Sequence, residues 1–241
     1  MLRPMPKNQE PEWEVSYRTA GRERLWPADP TIQGLDLELL RGQGVRIVLD
    51  AGCGDGKNLV HLVENGFFPV GADASITALR SCHAYMQERG LNDRYLLLGP
   101  TALQSLPFLS STFNAAICID VLGHLPEPLT VLSELGRVLN SNGILYASVF
   151  DTTDSCRTGP RMRPGNGPNQ YWYHPNSKEA GAPLQEYYYR FYDKTAAQAL
   201  FEASPFRLID LTRQAWKEPA HKGFREEPHE HVSWFGFLKK C

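Results

Sequence analysis

Paired cysteines are missing from this sequence. Cys53, Cys82, Cys118, Cys156 and Cys241 are scattered, odd in number and contain no CxxC pair. That argues against a disulfide framework and against a thiolate zinc site. An excess of either charge is missing too. Twenty-five Lys and Arg residues face 27 Asp and Glu, a formal net charge of −2, so no global basic surplus draws in nucleic acid or an anionic membrane. Long apolar runs are also absent. The longest uncharged stretch, Tyr95–Ile119, contains Pro100, Pro107 and many polar residues, unlike a membrane span. The opening MLRPMPKNQEPEWE lacks the apolar segment of a secretory signal. Together these absences lead us to expect a soluble protein of a reducing compartment, cytoplasmic, with no nucleic-acid or membrane partner.

What remains is ordinary in amount. With 241 residues, 42% hydrophobic, 22% charged and 11% aromatic, the composition excludes disorder, collagen and coiled coil. The chain is long enough for a full core without staples. Residues 1–33 are rich in proline and charge, with interspersed aromatics (Trp13, Tyr17, Trp26), and read as an arm that packs on something. A short helix is expected around Leu35–Leu40, ended by Gly42 and Gly44.

A regular alternation begins at Val45–Asp50 (VRIVLD), a short apolar, β-branched run of the kind found in buried parallel strands. A glycine turn and a helix at Lys57–Glu64 follow, and then a second strand at Phe67–Asp73. Ser75 is an apt N-cap for a helix through Glu88, stopped by Gly90. Further strands are expected at Tyr95–Leu98, Asn114–Ile119 and Ile144–Phe150. A helix at Pro128–Leu139 and a turn at Asn142–Gly143 precede the last of these. Alternating strands and helices imply a mostly parallel sheet. Residues 151–186 break the rhythm with many Gly, Pro and Asn residues and read as a long loop, functional or mobile. A helix resumes at Lys194–Ala203. Two strand-like segments, Phe206–Gln214 and Val232–Leu238, close the chain on either side of a charged linker, Lys217–His231. No internal repeat or second core is apparent.

The central signal is VLDAGCGDGKN at 48–58. Gly52, Gly54 and Gly56 end a strand and open a helix, where glycine permits a tight turn and close approach of a ligand. Asp73 stands twenty-one residues after Gly52 at the end of the next strand, a position from which a carboxylate accepts hydrogen bonds from ribose hydroxyls. These features imply an adenosine-containing cofactor. A pyrophosphate asks for GxGxxG spacing and a neutral or positive pocket. Here the spacing is GxGxG, and Asp50 and Asp55 flank the turn. An acidic turn suits S-adenosylmethionine (AdoMet), which carries a sulfonium and an ammonium and no phosphate, although Lys57 weakens the contrast.

Residues 46–150 resemble the AdoMet-dependent class I methyltransferases, in particular their small-molecule branch. VLDAGCGDG is similar to the first motif of that family and VGADAS (70–75) to its acidic second-strand end. LPFLSSTFNAAICIDVLGHL (106–125) matches its fourth-strand region, and LGRVLNSNGILYASV (135–149) its helix, turn and fifth strand. The resemblance implies an α/β, Rossmann-like fold. Its sheet is seven-stranded and mostly parallel, with helices on both faces and an antiparallel last strand. It also implies that Asp50, Gly52, Cys53 and Gly54 line the methionine end, that Asp73 holds the ribose beside Ala74, and that Asp120 and Val121 sit next to the cofactor. Many relatives carry Gly-Asp-Ala after the third strand to meet the adenine amine. This chain has Gly99-Pro100-Thr101-Ala102, so Thr101 or a backbone group is expected to replace that contact.

Other residues carry two readings each. His124 has a side chain whose ordinary pKa suits a general base, and it is the catalytic candidate; the alternative is a helix-start histidine packing the cofactor pocket. In PHEHVSWF (228–235), His229 and His231 share a face if the chain is extended. With His221 or Glu226 they would approach a metal set, but no ligand spacing is matched and no metal is expected. The segment reads instead as polar residues on the turn of a final hairpin, with contact to the substrate as the second reading. The aromatic clusters at 171–173 and 187–192 wall an acceptor pocket or pack as a lid. Tyr17, Arg18 and Trp26 are candidates to close over the cofactor. Cys53 reads as a small packing residue, because neighbouring acids raise a thiol pKa.

The expectation is one domain over 1–241: an arm (1–42), a cofactor core (43–150), a substrate-side insertion or lid (151–192) and a C-terminal helix with strands (193–241). Its expected activity is AdoMet-dependent methyl transfer to oxygen or nitrogen of a small-molecule acceptor. The rivals are a methyltransferase of tRNA or a peptide, an NAD-dependent oxidoreductase, and a non-catalytic module that keeps the fold.

Overall fold

The β-branched run in the first motif becomes strand β1 (Ile47–Ala51), buried everywhere but at its first residue. A computed structural model describes residues 12–20, 32, 37–173, 186–219 and 228–241. In chain order the next strands are β2 (Phe68–Ala72), β3 (Leu96–Leu98), β4 (Phe113–Cys118) and β5 (Leu139–Asp151). β1 pairs in parallel with β2 and β4, β2 with β3, and β4 with β5. The expected Asn142–Gly143 turn lies inside β5: Asn142 has φ +64°. Near there the β4–β5 register shifts between Phe113 and Ala115.

Six helices complete the layers among the described residues. They are α1 (Glu12–Ala20), α2 (Leu37–Gly42), α3 (Lys57–Glu64), α4 (Ile76–Glu88), α5 (Pro128–Val138) and α6 (Lys194–Glu202). Leu35 of the expected second helix lies outside the described residues. Side chains of β1 alternate between faces, as the two-residue period of a strand requires. Leu49 joins Leu132, Leu135 and Phe201 of α5 and α6, whereas Val48 joins Leu40 and Leu62 of α2 and α3. Burying each such side chain contributes about 1.5–3 kcal/mol. Ser75 caps α4 as expected, its hydroxyl accepting the Ala78 N–H at 3.0 Å.

The C-terminal strands are longer than the sequence pattern suggests. β9 (Phe206–Glu218) and β10 (His229–Lys240) pair antiparallel from end to end, and β10 also runs antiparallel to β5. The main sheet is thus ordered β3-β2-β1-β4-β5-β10-β9, and its antiparallel member is the last strand of the chain. His229 and His231 accordingly lie within β10, not on a turn. Their alternation with Glu230, in register with Glu218 and Trp216 of β9, keeps them in the ladder.

The stretch from 151 onward also departs from expectation. Instead of one long loop it contains a 3-10 turn (Ser155–Thr158) and the strands β6 (Met162–Pro164), β7 (Gln170–Tyr173) and β8 (Tyr187–Tyr192). These form an antiparallel meander, and β8 then pairs with Phe150 and Asp151 at the end of β5. The aromatic clusters explain this. Tyr171–Tyr189, Trp172–Tyr188 and Tyr173–Tyr187 face one another across β7 and β8, and such cross-strand pairs stabilise a ladder. No helix among the described residues is long and apolar enough to cross a membrane.

Candidate functional site

The glycine turn sits where β1 hands over to α3, at the C-terminal edge of the parallel strands, the usual ligand edge of such sheets. Gly52 has φ +84°, and a Cβ there would overlap Cγ2 of Val121. Val121 therefore acts as the wall against which the turn is folded. The Gly54 N–H donates to Oδ2 of Asp73 at 2.9 Å, and the Ser75 N–H donates to Oδ1 of the same carboxylate at 2.8 Å. Asp73 is thus aimed by backbone from two elements, and each oxygen retains capacity for a further donor. Ala74 is half-buried beside it. Thr101 donates its N–H to the Asp73 carbonyl at 2.9 Å, tying the end of the third strand to the second.

Four carboxylates crowd this end of the molecule. Asp50 is buried, its Oδ2 has no partner among the described residues, and burial followed by the Asp73 charge pushes its pKa up to about 8. Burial lifts Asp55 to about 7 against the pull of Lys57. Asp120, held at φ +58° after β4, is the exception. Burial works against its charge, but the Lys57 ammonium 2.8 Å from Oδ2 outweighs that and keeps its pKa below the ordinary value. Its Oδ1 also lacks a partner among the described residues. Burial and the neighbouring acids raise the Cys53 thiol well above its ordinary pKa, as expected of a packing residue and not of a nucleophile.

The α1 helix closes the site from above. Glu14 accepts hydrogen bonds from the Ser75 hydroxyl at 2.6 Å, the Thr77 N–H at 3.1 Å and the Thr77 hydroxyl, so it clamps α1 onto the first turn of α4. Tyr17 then lies directly over Gly54. Trp13 packs against His124 and Tyr187, with ring centroids 4.8 and 5.3 Å away. Of the residues expected to close over the cofactor, Tyr17 does line the cavity, and Trp26 lies outside the described residues.

A cavity of ≈ 960 Å³, open mouth included, runs beneath α1. One end is formed by Gly52, Cys53, Gly54, Asp55, Lys57 and Asp120; the other by Phe150, Cys156, Tyr189, Trp216, Glu218 and His231. His124 also lines the cavity, against Phe150 and Tyr189, in a 3-10 turn (Leu122–His124) and not at the start of a helix. Its Nδ1–H donates to the Tyr188 carbonyl at 3.1 Å, which leaves Nε2 unprotonated. Rings of Trp13, Phe150 and Tyr189 surround it, and burial lowers its pKa to about 4.

The residues present fit AdoMet. The unpartnered acceptors on Asp50 and Asp120 suit a cation, and Gly52 and Gly54 line the cavity without presenting a side chain to it. Asp50, Asp73 and Val121 adjoin the turn without lining the cavity itself, and Thr101 contacts Asp73 without reaching the cavity. The sequence reading missed Glu14, Asp154, Trp216 and Glu218. Strand alternation through Trp216 and Glu218 was the available signal for the last two.

Residues 49–147 match the family described as a methyltransferase domain. A ubiquinone biosynthesis O-methyltransferase of Histophilus somni is 26% identical over 108 residues, which are 44% of this chain and 45% of that protein. A tRNA U34 carboxymethyltransferase of Campylobacter concisus is 28% identical over 141 residues, 53% of this chain and 44% of that protein. The matches thus span less than half the length of these relatives. Among solved structures, a SAM-dependent methyltransferase of Methanosarcina mazei superposes with a TM-score of 0.65 at 17% identity, covering 90% of this chain and 99% of that one. Residues 49–147 thus match a methyltransferase domain, and the glycine turn and the sheet around it agree with the Rossmann-like fold of solved methyltransferases.

Proposed function

We propose that this protein transfers a methyl group from AdoMet to an oxygen or nitrogen of a small-molecule acceptor, with arm, core and insertion acting as one unit. The observation that carries the reading is the single cavity joining the acidic glycine turn to an aromatic, histidine-bearing end beneath α1. When bound, AdoMet supplies an electrophilic methyl on a sulfonium. The chain's part is to hold, orient and keep water out. Asp73 is assigned to the ribose hydroxyls, the Gly52–Gly54 backbone with Asp50 to the methionine end, and Asp120 with Val121 to the space beside it. Alignment of nucleophile, methyl carbon and sulfur supplies most of the rate in such transfers.

His124 is assigned to the acceptor. With a pKa near 4 it is neutral at physiological pH and a weak base, suited to accepting a hydrogen bond from an acceptor X–H and so fixing its approach. The aromatic walls give the apolar area and polar rim of a small-molecule pocket. A near-neutral chain offers no electrostatic footprint for RNA, although one relative is named for tRNA. We place the protein in the cytoplasm, where its five free thiols stay reduced.

The test combines binding and product. S-adenosylhomocysteine should raise the melting temperature and NAD should not. Asp73→Ala should weaken S-adenosylhomocysteine more than tenfold. Incubation with labelled AdoMet and a metabolite extract should label a small molecule. Label appearing only in added tRNA would replace the acceptor assignment, and stabilisation by NAD alone would remove the methyltransferase reading.

A further inference from the structure

The far end of the cavity holds a cluster that methyl transfer does not require. His229 faces Glu218 across the β9–β10 ladder, and His231, two residues on, faces Trp216. All four side chains therefore share one face. The Nε2 atoms of His229 and His231 lie 3.0 Å apart. Oε2 of Glu218 lies 3.7 Å from the first and 3.6 Å from the second. The closest point equidistant from those three atoms, in their common plane, falls about 2.0 Å from each, the length of a zinc bond to imidazole or carboxylate.

Outer partners aim two of the three groups. The Nδ1 of His231 lies 3.0 Å from Oδ2 of Asp154, a fully buried carboxylate. Asp154 is itself fixed by the Val232 and Cys156 N–H groups at 2.9 and 2.7 Å. With its proton on Nδ1, His231 presents a bare Nε2 to the cluster. The indole N–H of Trp216 donates to Oε1 of Glu218 at 2.9 Å, which leaves Oε2 turned to the histidines. A carboxylate behind a ligating histidine, and a donor behind a ligating carboxylate, are what metal sites use to set tautomer and orientation.

We propose that Glu218, His229 and His231 bind one divalent cation of the zinc class, oriented by Asp154 and Trp216, with an open coordination position on the cavity side. Two histidines and one glutamate match the ligand number of zinc sites that keep a position free. Glu218 and His231 line the acceptor end. The group that takes the open position is therefore an oxygen, nitrogen or sulfur of the acceptor, a clause that rests on the methyltransferase reading; the cation site itself does not. Sequence spacing gave no hint because the third ligand comes from the neighbouring strand. His221 and Glu226, weighed earlier as partners, lie outside the described residues.

The experiment strips the full chain with a chelator and titrates zinc against a chromophoric competitor, with metal content measured after desalting. One equivalent should be retained. His229→Ala should weaken zinc by more than about 100-fold and Asp154→Asn by about 10- to 100-fold. Cys156→Ser, on the other side of His231, should change it less than about threefold, and His83→Ala not at all. X-ray absorption on the unmutated zinc protein should show only nitrogen and oxygen neighbours near 2.0–2.1 Å, a readout that survives if a variant fails to fold. No uptake by the parent, unchanged affinity in His229→Ala, or a sulfur neighbour would each overturn the assignment. The S-adenosylhomocysteine melting shift of the metal-free protein reports the methyltransferase reading separately.

Discussion

Replacing Glu14 by Ala should release α1 from the site while leaving the sheet folded. In the parent, the carboxylate accepts from the Ser75 hydroxyl, the Thr77 hydroxyl and the Thr77 N–H. The last is one of the N–H groups that the first turn of α4 cannot satisfy internally. Hydrogen bonds to an ionised group contribute about 1.5–3 kcal/mol each, but water replaces them once α1 lifts. The net loss in docking is therefore about 2–4 kcal/mol, or about 30- to 1,000-fold in the closed-to-open ratio. Amide exchange should show it as faster exchange across residues 15–20, with the amides of β1, β4 and β5 unchanged. Because Tyr17 covers Gly54, affinity for S-adenosylhomocysteine should change as well. Acid should reproduce the effect in the parent. Burial opposes the Glu14 charge, but the Ser75 and Thr77 hydrogen bonds outweigh it and lower the pKa. The stabilisation is thus complete above the ordinary glutamate range and lost as pH falls through the lowered value. Exchange at residues 15–20 within twofold of the parent in Glu14→Ala, together with unaltered cofactor affinity, would refute the clamp.

Two further outcomes concern the turn and the histidine above it. Gly52→Ala adds about 1–2 kcal/mol for a left-handed backbone and about 1–3 kcal/mol for overlap with Val121; thermal unfolding should fall by several degrees, and a shift under one degree would contradict the packing described. His124 is held neutral by burial, its pKa near 4 against 6.5 in an unfolded chain, so the unfolded state binds more protons between those values. Stability from this group is complete above about pH 6.5 and declines toward pH 4, by about 3 kcal/mol in all. In His124→Phe the denaturant midpoint should depend less on pH across that window, and parallel parent and variant curves would count against it.

Much of the fold was legible because its causes are local. The β-branched run at 45–50 and the N-cap at Ser75 each announce themselves within a few residues. So do the alternating strands and helices up to residue 150. The meander at 162–192 was harder to see, because its glycines and prolines advertise loops while its stability comes from aromatic pairs between strands. The site divides in the same way. Gly52 and Gly54 follow from a strand end and turn within a few residues, and Asp120 from the resemblance of the fourth-strand block. Trp216, Glu218 and His231 reach the same cavity from the last strands, about a hundred residues further on. Glu14 had no local signal at all, since its partners are the cap residues of a helix sixty residues away.

The continuous pairing of β10 limits how this protein can change by insertion and deletion. From Ser233 to Lys239 it is laddered to β5 on one side and β9 on the other, and one irregularity between Phe237 and Leu238 is already present. Adding or removing a single residue between His231 and Phe237 would either shift that ladder or turn both histidines to the opposite face, since side chains alternate with a period of two. The length of β10 in this stretch is therefore tied to the cluster at its start.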